Sequence, residues 1–288
     1  MLIETHAHLD YSDFAPDFDD VLARATAAGV TRIVTIGTSV ESSRRAVELA
    51  EKYPNVYAVI GVHPNAAEEV DDDVITPLRE LAKSPRVAAI GETGLDYHYL
   101  PSAALAKQRT TQVITNTLQA ETDDQIESGI HDGALKSKQA SLFQQQLDLA
   151  VELKLNVVIH QRDAWDDTLE ILREYGRQVS GVFHCFGGTK EQAEEVIALG
   201  HLVSFTGIVT FKNGAKVRDV AASLSLGEFM VETDCPYLAP EPFRGKRCEP
   251  AHTRLVADSI AAARGISVEE LARATTKTAE EFFRLNGV

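Results

Sequence analysis

The chain has 288 residues, enough for one α/β barrel of about 250 residues or for two smaller domains. A formal net charge of −15 argues against a protein that coats duplex nucleic acid by bulk positive charge, although one local site can still bind a polyanion. Because no run of about 18 apolar residues occurs, a membrane-spanning helix is excluded. The three cysteines lack the spacing of a disulfide framework, which suits a reducing compartment. The N-terminal residues do not resemble a signal peptide, so we predict a cytoplasmic protein.

Short β-branched, apolar segments alternate with amphipathic segments through almost the whole chain. The apolar segments predict eight strands: Leu2–Thr5, Arg32–Ile36, Val56–Ile60, Val87–Ile90, Val157–Ile159, Val182–Phe183, Leu202–Ser204 and Phe229–Val231. The amphipathic segments predict helices over Phe18–Ala28, Ser42–Tyr53, Thr76–Lys83, Ser141–Lys154, Trp165–Tyr175, Glu191–Leu199 and Val217–Leu224, with further helices in Thr253–Leu285. Strands that alternate with helices form parallel units, and eight such units close a barrel. We therefore predict an α/β fold, a single (β/α)8 TIM-type barrel over residues 1–288.

One polar segment, residues 102–138, interrupts this alternation after the fourth strand and contains no aromatic residue. Its apolar positions are too sparse for a core element, so we predict a long insertion that is mobile or only locally helical. Two roles remain open for this insertion. It is either a lid that restricts access to the catalytic face or a surface insertion without a role, since long surface loops cost little to close.

Side chains that bind metals or transfer protons follow the predicted strands. Five of the nine histidines do so, together with two acids: His6, His8, His63, His160, His184, Glu92 and Asp234. The carboxyl ends of all strands in a parallel barrel meet on one face, so these side chains are expected to converge there. His6 and His8 point to the same side of a strand and can bind one metal ion, although a chance surface pair has the same spacing.

Three acids differ in what they can do at such a face. Glu92 lies near glycines at the end of the fourth strand, and its two oxygens can bridge two divalent ions unless it is a solvated loop residue. Asp234 can bind a metal ion and accept a proton from water whose pKa the metal lowers. Glu232 lies on the same face of an extended strand and competes with Asp234, which is favoured. His160 and His184 supply nitrogen ligands for a second ion.

Substrate contacts are predicted at four further residues near the mouth of the barrel: His63, Arg162, Arg244 and Lys246. A guanidinium group matches phosphate oxygens with two parallel hydrogen bonds, which favours Arg162 and the basic cluster Arg244–Arg247. For that cluster a solvated loop explains the residues equally well. For His63 the alternative is packing within its own loop.

Taken together, these motifs resemble the TatD family of metal-dependent hydrolases. The resemblance is carried by His6-x-His8, Gly61-Val62-His63-Pro64, Gly91-Glu92-Thr93-Gly94-Leu95-Asp96, Val158-Ile159-His160-x-Arg162, His184-Cys185-Phe186, Glu232-Thr233-Asp234-x-Pro236, Tyr237-Leu238-Ala239-Pro240 and Arg244-Gly245-Lys246. It extends in a consistent order over residues 2–285. It implies a TIM-type barrel of the amidohydrolase-like superfamily, two divalent metal ions and phosphodiester hydrolysis. The function it implies is a deoxyribonuclease with 3′→5′ exonuclease activity on single-stranded DNA.

The resemblance also implies roles for individual residues. The implied ligands of one ion are His6, His8, Glu92 and Asp234. Those of the other ion are Glu92, His160 and His184, so Glu92 bridges the two. Asp234, rather than Glu232, is then the catalytic base. Imidazole and carboxylate ligands suit Mn²⁺ or Zn²⁺, while Mg²⁺ stays open because of its abundance. Apart from a nucleic-acid substrate, neither a membrane nor a stable protein partner is implied.

The chain departs from the family pattern at three places. Glu4 stands where many relatives have Asp, Cys248 stands where they often have Asn, and residues 102–138 replace a short connection. Two other functions also remain open. One is another ester or amide hydrolase on the same scaffold, such as a D-aminoacyl-tRNA deacylase, and the other is a non-catalytic metal-dependent binding protein. Turnover of any ester with added metal separates an enzyme from a binding protein.

Overall fold

The structure, a computed structural model, describes residues 1–70, 73–101 and 121–285, with the backbone alone for residues 121–129. Its strands are β1 (Leu2–Ala7), β2 (Val30–Ile36), β3 (Val56–Ile60), β4 (Val87–Asp96), β5 (Asn156–Arg162), β6 (Gly181–Phe183), β7 (Leu202–Phe205) and β8 (Phe229–Val231). Its helices are α1 (Phe18–Ala27), α2 (Val40–Lys52), α3 (Ile75–Leu81), α4 (Glu121–Leu153), α5 (Trp165–Tyr175), α6 (Lys190–Ala198), α7 (Ala215–Ser223), α8 (Thr253–Arg264) and α9 (Val268–Phe283).

Each strand pairs in parallel with the strand that follows it along the chain, in the order β1 to β8. Beyond β8 the chain returns to β1, where Ala7 and Cys235 form a parallel bridge. The His8 N–H donates a hydrogen bond to the Cys235 carbonyl oxygen across this bridge, at 2.8 Å. The sheet is therefore a nearly closed barrel, and the predicted (β/α)8 fold is confirmed.

Three strands continue further than their apolar segments. β1 continues to Ala7, β4 to Asp96 and β5 to Arg162. Asp96 and Arg162, the final residues of β4 and β5, still pair with each other. Glu92 and His160 thus lie within strands, not after them as predicted. The difference arises because the backbone ladder continues where the side chains become polar, and hydropathy reports only the side chains.

The long insertion after β4 is confirmed. The predicted start of the next helix is wrong, because α4 begins at Glu121 rather than at Ser141, so residues 121–138 of the insertion are helical. A helix can form wherever the residues have adequate helix propensity, whereas the predicted start was placed where an apolar face begins. Residues 102–120 of the predicted insertion lie outside the described residues. Although α4 spans 33 residues, no helix in the described ranges is apolar enough over a sufficient length to cross a membrane.

The core follows from the alternation of side chains along the strands. Val158 and Val182 belong to a buried cluster that ends on Phe282 and Phe283 of α9. Val157, the neighbour of Val158, belongs instead to the larger cluster that includes the buried faces of the helices. α9 covers the end of the barrel at which the strands begin. The opposite end, where the strands finish, is left for polar residues.

Two glutamines of α4 hydrogen-bond the backbone at the finishing ends of the strands. Gln146 Oε1 accepts the Val62 N–H at 2.8 Å, and its Nε2 donates to Val62 O at 3.0 Å and to Thr93 Oγ1 at 2.7 Å. Gln139 makes the same two-way contact with the backbone of Asp96, at 2.9 and 3.0 Å. The i, i+7 spacing puts both glutamines on one helix face. α4 therefore fixes the segments that follow β3 and end β4.

We expect Gln146→Ala to lower the free energy of unfolding by about 2 kcal/mol or more, because buried backbone groups of Val62 lose their partners. Urea unfolding followed by circular dichroism measures the change. Gln145→Ala is the matched control, since the half-buried Gln145 side chain donates a hydrogen bond to the exposed Ser141 hydroxyl on the same helix and not to the strand ends. Equal losses in the two variants would show that the buried hydrogen bonds contribute nothing.

Candidate metal centre

The strands that carry the site present alternate residues to the barrel interior. His160 lies two positions beyond Val158, and His184 lies two positions beyond Val182. Both valines belong to the interior cluster. Because side chains two positions apart share a face of a strand, both imidazoles lie above the apolar interior, at the finishing ends of β5 and β6.

Glu92 lies among the histidines and is only 3% exposed. Its Oε1 atom is 2.7 Å from His160 Nδ1 and 2.8 Å from His184 Nε2. Its Oε2 atom is 3.4 Å from His6 Nε2 and 3.8 Å from His8 Nε2. The two oxygens of this carboxylate therefore face different imidazoles, His160 and His184 on one side and His6 and His8 on the other.

Asp234 joins the histidines of β1 because the barrel closes. Its Oδ1 atom lies 3.3 Å from His8 Nε2 and 3.7 Å from His6 Nε2. The Asp234 N–H donates to His6 O at 2.9 Å, which holds the two segments side by side. Asp234 has a φ of 63°, a left-handed conformation that costs a non-glycine residue energy and is often found at functional sites.

The donor atoms form groups that fit a divalent metal ion. Within each of three groups the potential ligand atoms lie within 4.8 Å of one another: His6–Glu92–His184, His6–His8–Asp234 and His63–Glu92–His160. His6 Nε2 is buried and makes no hydrogen bond with any described residue. An imidazole nitrogen buried without a partner is costly, and a bound cation would supply the missing contact. The residues present therefore fit a metal site.

The carboxylates in this cluster are ionised. Burial by itself raises the pKa of Glu92, but the imidazoles of His184 and His63 outweigh it and hold that pKa well below its usual value. Burial likewise opposes ionisation of Asp234, and its hydrogen bond with His8 lowers the pKa below the usual value. Two buried negative charges make the pocket attractive to cations. Metal binding there requires the imidazoles to be neutral, so it releases protons.

Further contacts hold the imidazole rings in orientation. Asp96 Oδ2 lies 3.2 Å from His160 Nε2, the nitrogen that faces away from Glu92. The Ile36 carbonyl oxygen lies 3.2 Å from His8 Nδ1. In metal-binding histidines such contacts fix the ring and the tautomer. The cluster is thus oriented before any ion binds.

Glu232, the competitor of Asp234, is engaged elsewhere. Its Oε1 accepts the Cys185 N–H at 2.7 Å, and its Oε2 accepts the Ser204 hydroxyl at 2.7 Å. Glu232 Oε1 lies 3.8 Å from His184 Nδ1. This is the ring nitrogen opposite the one that faces Glu92. The geometry therefore brings Asp234, rather than Glu232, to the histidines of β1.

Glu4, which replaces the Asp of many relatives, lies behind the cluster. It is fully buried and accepts the N–H groups of His6 at 2.9 Å and Thr233 at 3.0 Å, as well as the Thr253 hydroxyl. Burial raises the pKa of Glu4 to about 8, so this side chain is neutral near pH 7. It connects β1 to the segment that carries Asp234 and to the first residue of α8.

Two of the predicted substrate-binding residues lie at different depths. His63 Nε2 is 3.5 Å from Glu92 Oε1, and its ring centroid is 4.3 Å from that of His160. It therefore lies in the cluster itself. Arg162, the last residue of β5, is exposed and donates to the Tyr99 hydroxyl at 3.2 Å.

The basic cluster Arg244–Arg247 divides into two parts. Arg244 and Lys246 are exposed, and neither forms an ion pair with any residue in the described ranges. Arg247 instead pairs with Asp17 at 2.7 and 2.8 Å. The Arg247 guanidinium is thus already engaged by a carboxylate, whereas phosphate contacts by Arg244 and Lys246 stay a prediction.

Two tyrosines for which the sequence predicted no role in the site also border the cluster. Tyr11 stacks on His8, with centroids 4.9 Å apart and planes inclined by 20°. The Tyr237 ring lies 6.4 Å from the same imidazole. Tyr237 belongs to a motif of the family resemblance, which was a usable signal. Tyr11, a lone tyrosine after β1, gave none.

The chain is similar over nearly its whole length to known metal-dependent hydrolases. A family model described as TatD related DNase matches residues 3–284. The chain belongs to the TatD family. This TatD protein is 37% identical over 287 residues to the metal-dependent hydrolase YabD of Bacillus subtilis (strain 168), covering 99% of this chain and 100% of the relative. The protein is accordingly a metal-dependent hydrolase, and the resemblance inferred from the motifs is confirmed.

Two further relatives of this TatD protein bear on its site. The 3'-5' ssDNA/RNA exonuclease TatD of Citrobacter rodentium (strain ICC168) is 31% identical over 288 residues, covering 98% of this chain and 97% of the relative. The crystal structure of YJJV, a TatD homologue from Escherichia coli K12, matches with a TM-score of 0.81 at 28% identity, covering 98% of each chain. The barrel described here is therefore shared over its full length.

We expect Glu92→Ala to lower the affinity for Mn²⁺ by more than the roughly 10–100-fold that loss of an outer contact costs, because Glu92 faces every histidine pair. Calorimetric titration of chelator-treated protein measures it. Asp163→Ala is the matched control, since it removes a carboxylate that contacts His98, a histidine outside the cluster, at 2.7 Å. Unchanged affinity in Glu92→Ala would exclude Glu92 as a ligand.

Proposed function

We propose that this hydrolase cleaves phosphodiester bonds of single-stranded DNA from the 3′ end, with two divalent metal ions. The observation that carries the proposal is the placement of Glu92, whose two oxygens face two separate pairs of imidazoles. A carboxylate in this place can bridge two ions, and paired ions suit in-line displacement at phosphorus. The activity named for the Citrobacter rodentium relative supports the choice of substrate.

In this proposal each ion has its own ligand set. The first set is His6, His8, Glu92 and Asp234, in which the imidazoles lie 3.3–3.8 Å from the carboxylate oxygens. The second set is Glu92, His160 and His184, with distances of 2.7 and 2.8 Å from Glu92 Oε1 to the two imidazoles. Mn²⁺ and Zn²⁺ suit these ligands, and Mg²⁺ remains a candidate. Wild-type protein then binds two ions per chain, and Glu92→Ala weakens both sites. A variant that retains one site at full affinity would contradict the bridge.

Asp234 is the proton acceptor in the proposed reaction. Bound ions would polarise a phosphoryl oxygen and make water acidic enough to lose a proton near neutral pH. The Asp234 carboxylate is ionised and lies at the mouth, so it can take that proton. It can then return the proton to the leaving oxygen. Glu232 is less suited to this role, because its oxygens are held by the Cys185 N–H and the Ser204 hydroxyl and face His184 Nδ1, the nitrogen that points away from Glu92.

Exposed cations bind the phosphates that do not react. Arg244 and Lys246 are exposed on the loop after β8, and Arg162 is exposed at the end of β5. His63, beside Glu92 in the cluster, is close enough to contact the reacting phosphate group. These contacts use binding energy to align the scissile bond for attack.

The proposal is tested by a panel of substrates supplied with Mn²⁺, Mg²⁺ or Zn²⁺ after removal of bound metal. The panel contains single-stranded DNA, duplex DNA, RNA and D-aminoacyl-tRNA. We expect mononucleotides to be released from the 3′ end of single-stranded DNA with the highest kcat/KM. Turnover of D-aminoacyl-tRNA without cleavage of any nucleic-acid strand would assign the site to the alternative deacylase reaction.

We expect Asp234→Asn to lower kcat by about 10²–10⁴-fold, because an amide cannot accept the proton of water. Single-turnover kinetics on a labelled oligonucleotide at saturating metal measures the loss. Glu232→Gln serves as the comparison, since glutamine can keep hydrogen bonds to Cys185 and Ser204. A larger loss in Glu232→Gln than in Asp234→Asn would reverse the assignment of the base.

We expect Arg244→Ala/Lys246→Ala to raise KM. The slope of log KM against the logarithm of the salt concentration should become shallower by about 0.7 for each phosphate contact that is lost. KM for an oligonucleotide is measured between low and moderate salt. The control is Arg177→Ala/Lys277→Ala, which makes the same change of net charge outside the loop after β8. If the salt dependence of KM has the same slope in the two double variants, Arg244 and Lys246 are solvated surface residues without a phosphate contact.

A further inference from the structure

Exposed aromatic side chains are concentrated beside the metal cluster. In the part of the chain that the structure describes, the exposed large apolar residues are Met1, Tyr99, Ile130, Leu226, Tyr237 and Phe243. Every aromatic member of this set lies on a loop that follows β4 or β8, on the catalytic face. Exposed rings that border one site indicate a surface for ligand contact.

Tyr237 lies next to the proposed catalytic groups. Its N–H donates to the Asp234 carbonyl oxygen at 3.0 Å. Its ring centroid lies 6.4 Å from that of His8 and 6.3 Å from that of Tyr11. Tyr237 is nevertheless 54% exposed. An aromatic ring is therefore held at the metal cluster and remains open to a ligand.

The loop that carries Tyr237 is fixed at both ends. Leu238 O lies so close to Gly207, after β7, that an added Cβ at this glycine would be 2.2 Å from it. At the other end of the loop, Arg247 holds Asp17 with two hydrogen bonds of 2.7 and 2.8 Å. A ring on a fixed loop loses little conformational freedom when a ligand stacks on it.

The same loop carries both aromatic rings and cations. Phe243 stacks on His252 at 4.7 Å and is 37% exposed. Arg244 and Lys246 follow it, both exposed and without an ion pair among the described residues. Proteins that bind single strands use rings to stack on bases and cations to bind phosphates. The loop offers both kinds of contact, in a protein of net charge −15.

We infer that Tyr237 stacks on the nucleobase next to the scissile phosphate, so that residues 237–246 form a binding surface for a single strand. This inference rests on the proposed function. In a duplex the same base is paired and stacked on its neighbours, and it must leave that stack before a protein ring can contact it. Stacking on Tyr237 thus gives a physical reason for a preference for single strands.

The test uses the full chain with Mn²⁺ and two single-stranded DNA oligonucleotides of equal length. One carries normal nucleotides, and the other carries tetrahydrofuran residues, which lack a base, at its 3′-terminal positions. Tyr237→Leu removes the aromatic ring but keeps an apolar side chain, and Tyr237→Phe keeps the ring but removes the hydroxyl. Leu226→Ala is the control, because it changes an exposed apolar residue that precedes β8, at the opposite end of the barrel.

For the normal oligonucleotide, Tyr237→Leu raises KM by roughly 5- to 150-fold, the range expected for loss of one base–aromatic stack. Tyr237→Phe and Leu226→Ala remain close to wild type. For the base-free oligonucleotide the wild-type KM is already raised, and Tyr237→Leu adds nothing further, because ring and base interact with each other. The ratio of kcat/KM for single over double strands also falls in Tyr237→Leu.

Three outcomes would overturn the stacking inference while leaving nucleic-acid hydrolysis intact. The first is an equal rise in KM for both oligonucleotides in Tyr237→Leu. The second is a rise in KM in Tyr237→Phe as large as that in Tyr237→Leu. The third is a wild-type KM that is the same for the normal and the base-free oligonucleotide. The first would show a packing effect, and the second would show a role for the hydroxyl. If the wild-type protein cleaves neither oligonucleotide with any divalent ion, the proposed function fails and this inference fails with it.

Discussion

Glu92 is an ionised carboxylate buried inside the barrel, and its burial constrains the rest of the site. Removing such a charge from water costs several kcal/mol unless partners compensate. Here the partners are imidazoles that come from β1, from the loop after β3, from β5 and from the end of β6. Because these segments are distant in sequence, the carboxylate is stabilised only when the whole barrel has formed. The fold and the metal cluster therefore depend on each other.

A layer of buried polar side chains behind the ligands maintains this arrangement. Glu4 binds the backbone beside His6 and Asp234, Glu232 binds the backbone after β6, and Gln146 binds the backbone after β3. Each one satisfies N–H or C=O groups that the strands leave unpaired where they finish, which would be costly if buried alone. These side chains hold the ligand-bearing segments without contacting the proposed ions themselves.

The acidic composition is compatible with the proposed polyanionic substrate if recognition is local. The net charge of −15 gives no long-range attraction for DNA, so the proposed binding relies on short contacts at the mouth. The loop after β8 supplies two exposed cations, while Arg247 in the same cluster is neutralised by Asp17. Exposed aromatic rings beside these cations suit a flexible single strand better than a stiff duplex.

The sequence by itself determined the eight strands and the set of candidate ligands, because apolar alternation marks strands and polar residues at their ends mark the catalytic face. It did not determine where β4 and β5 stop or where α4 begins, since backbone pairing and helix hydrogen bonds continue through polar side chains. Glu232 and Asp234 are two positions apart and would share a face if the strand continued, but β8 ends at Val231 and Asp234 has a φ of 63°. Only the closure of the barrel therefore decided which acid reaches the histidines of β1. Likewise Arg244 and Arg247 are equivalent in sequence, and tertiary contacts distinguish them, because Arg247 pairs with Asp17 while Arg244 lies over the ring of Phe211. In each case the deciding contact joins residues far apart along the chain, and local pattern carries no information about such contacts.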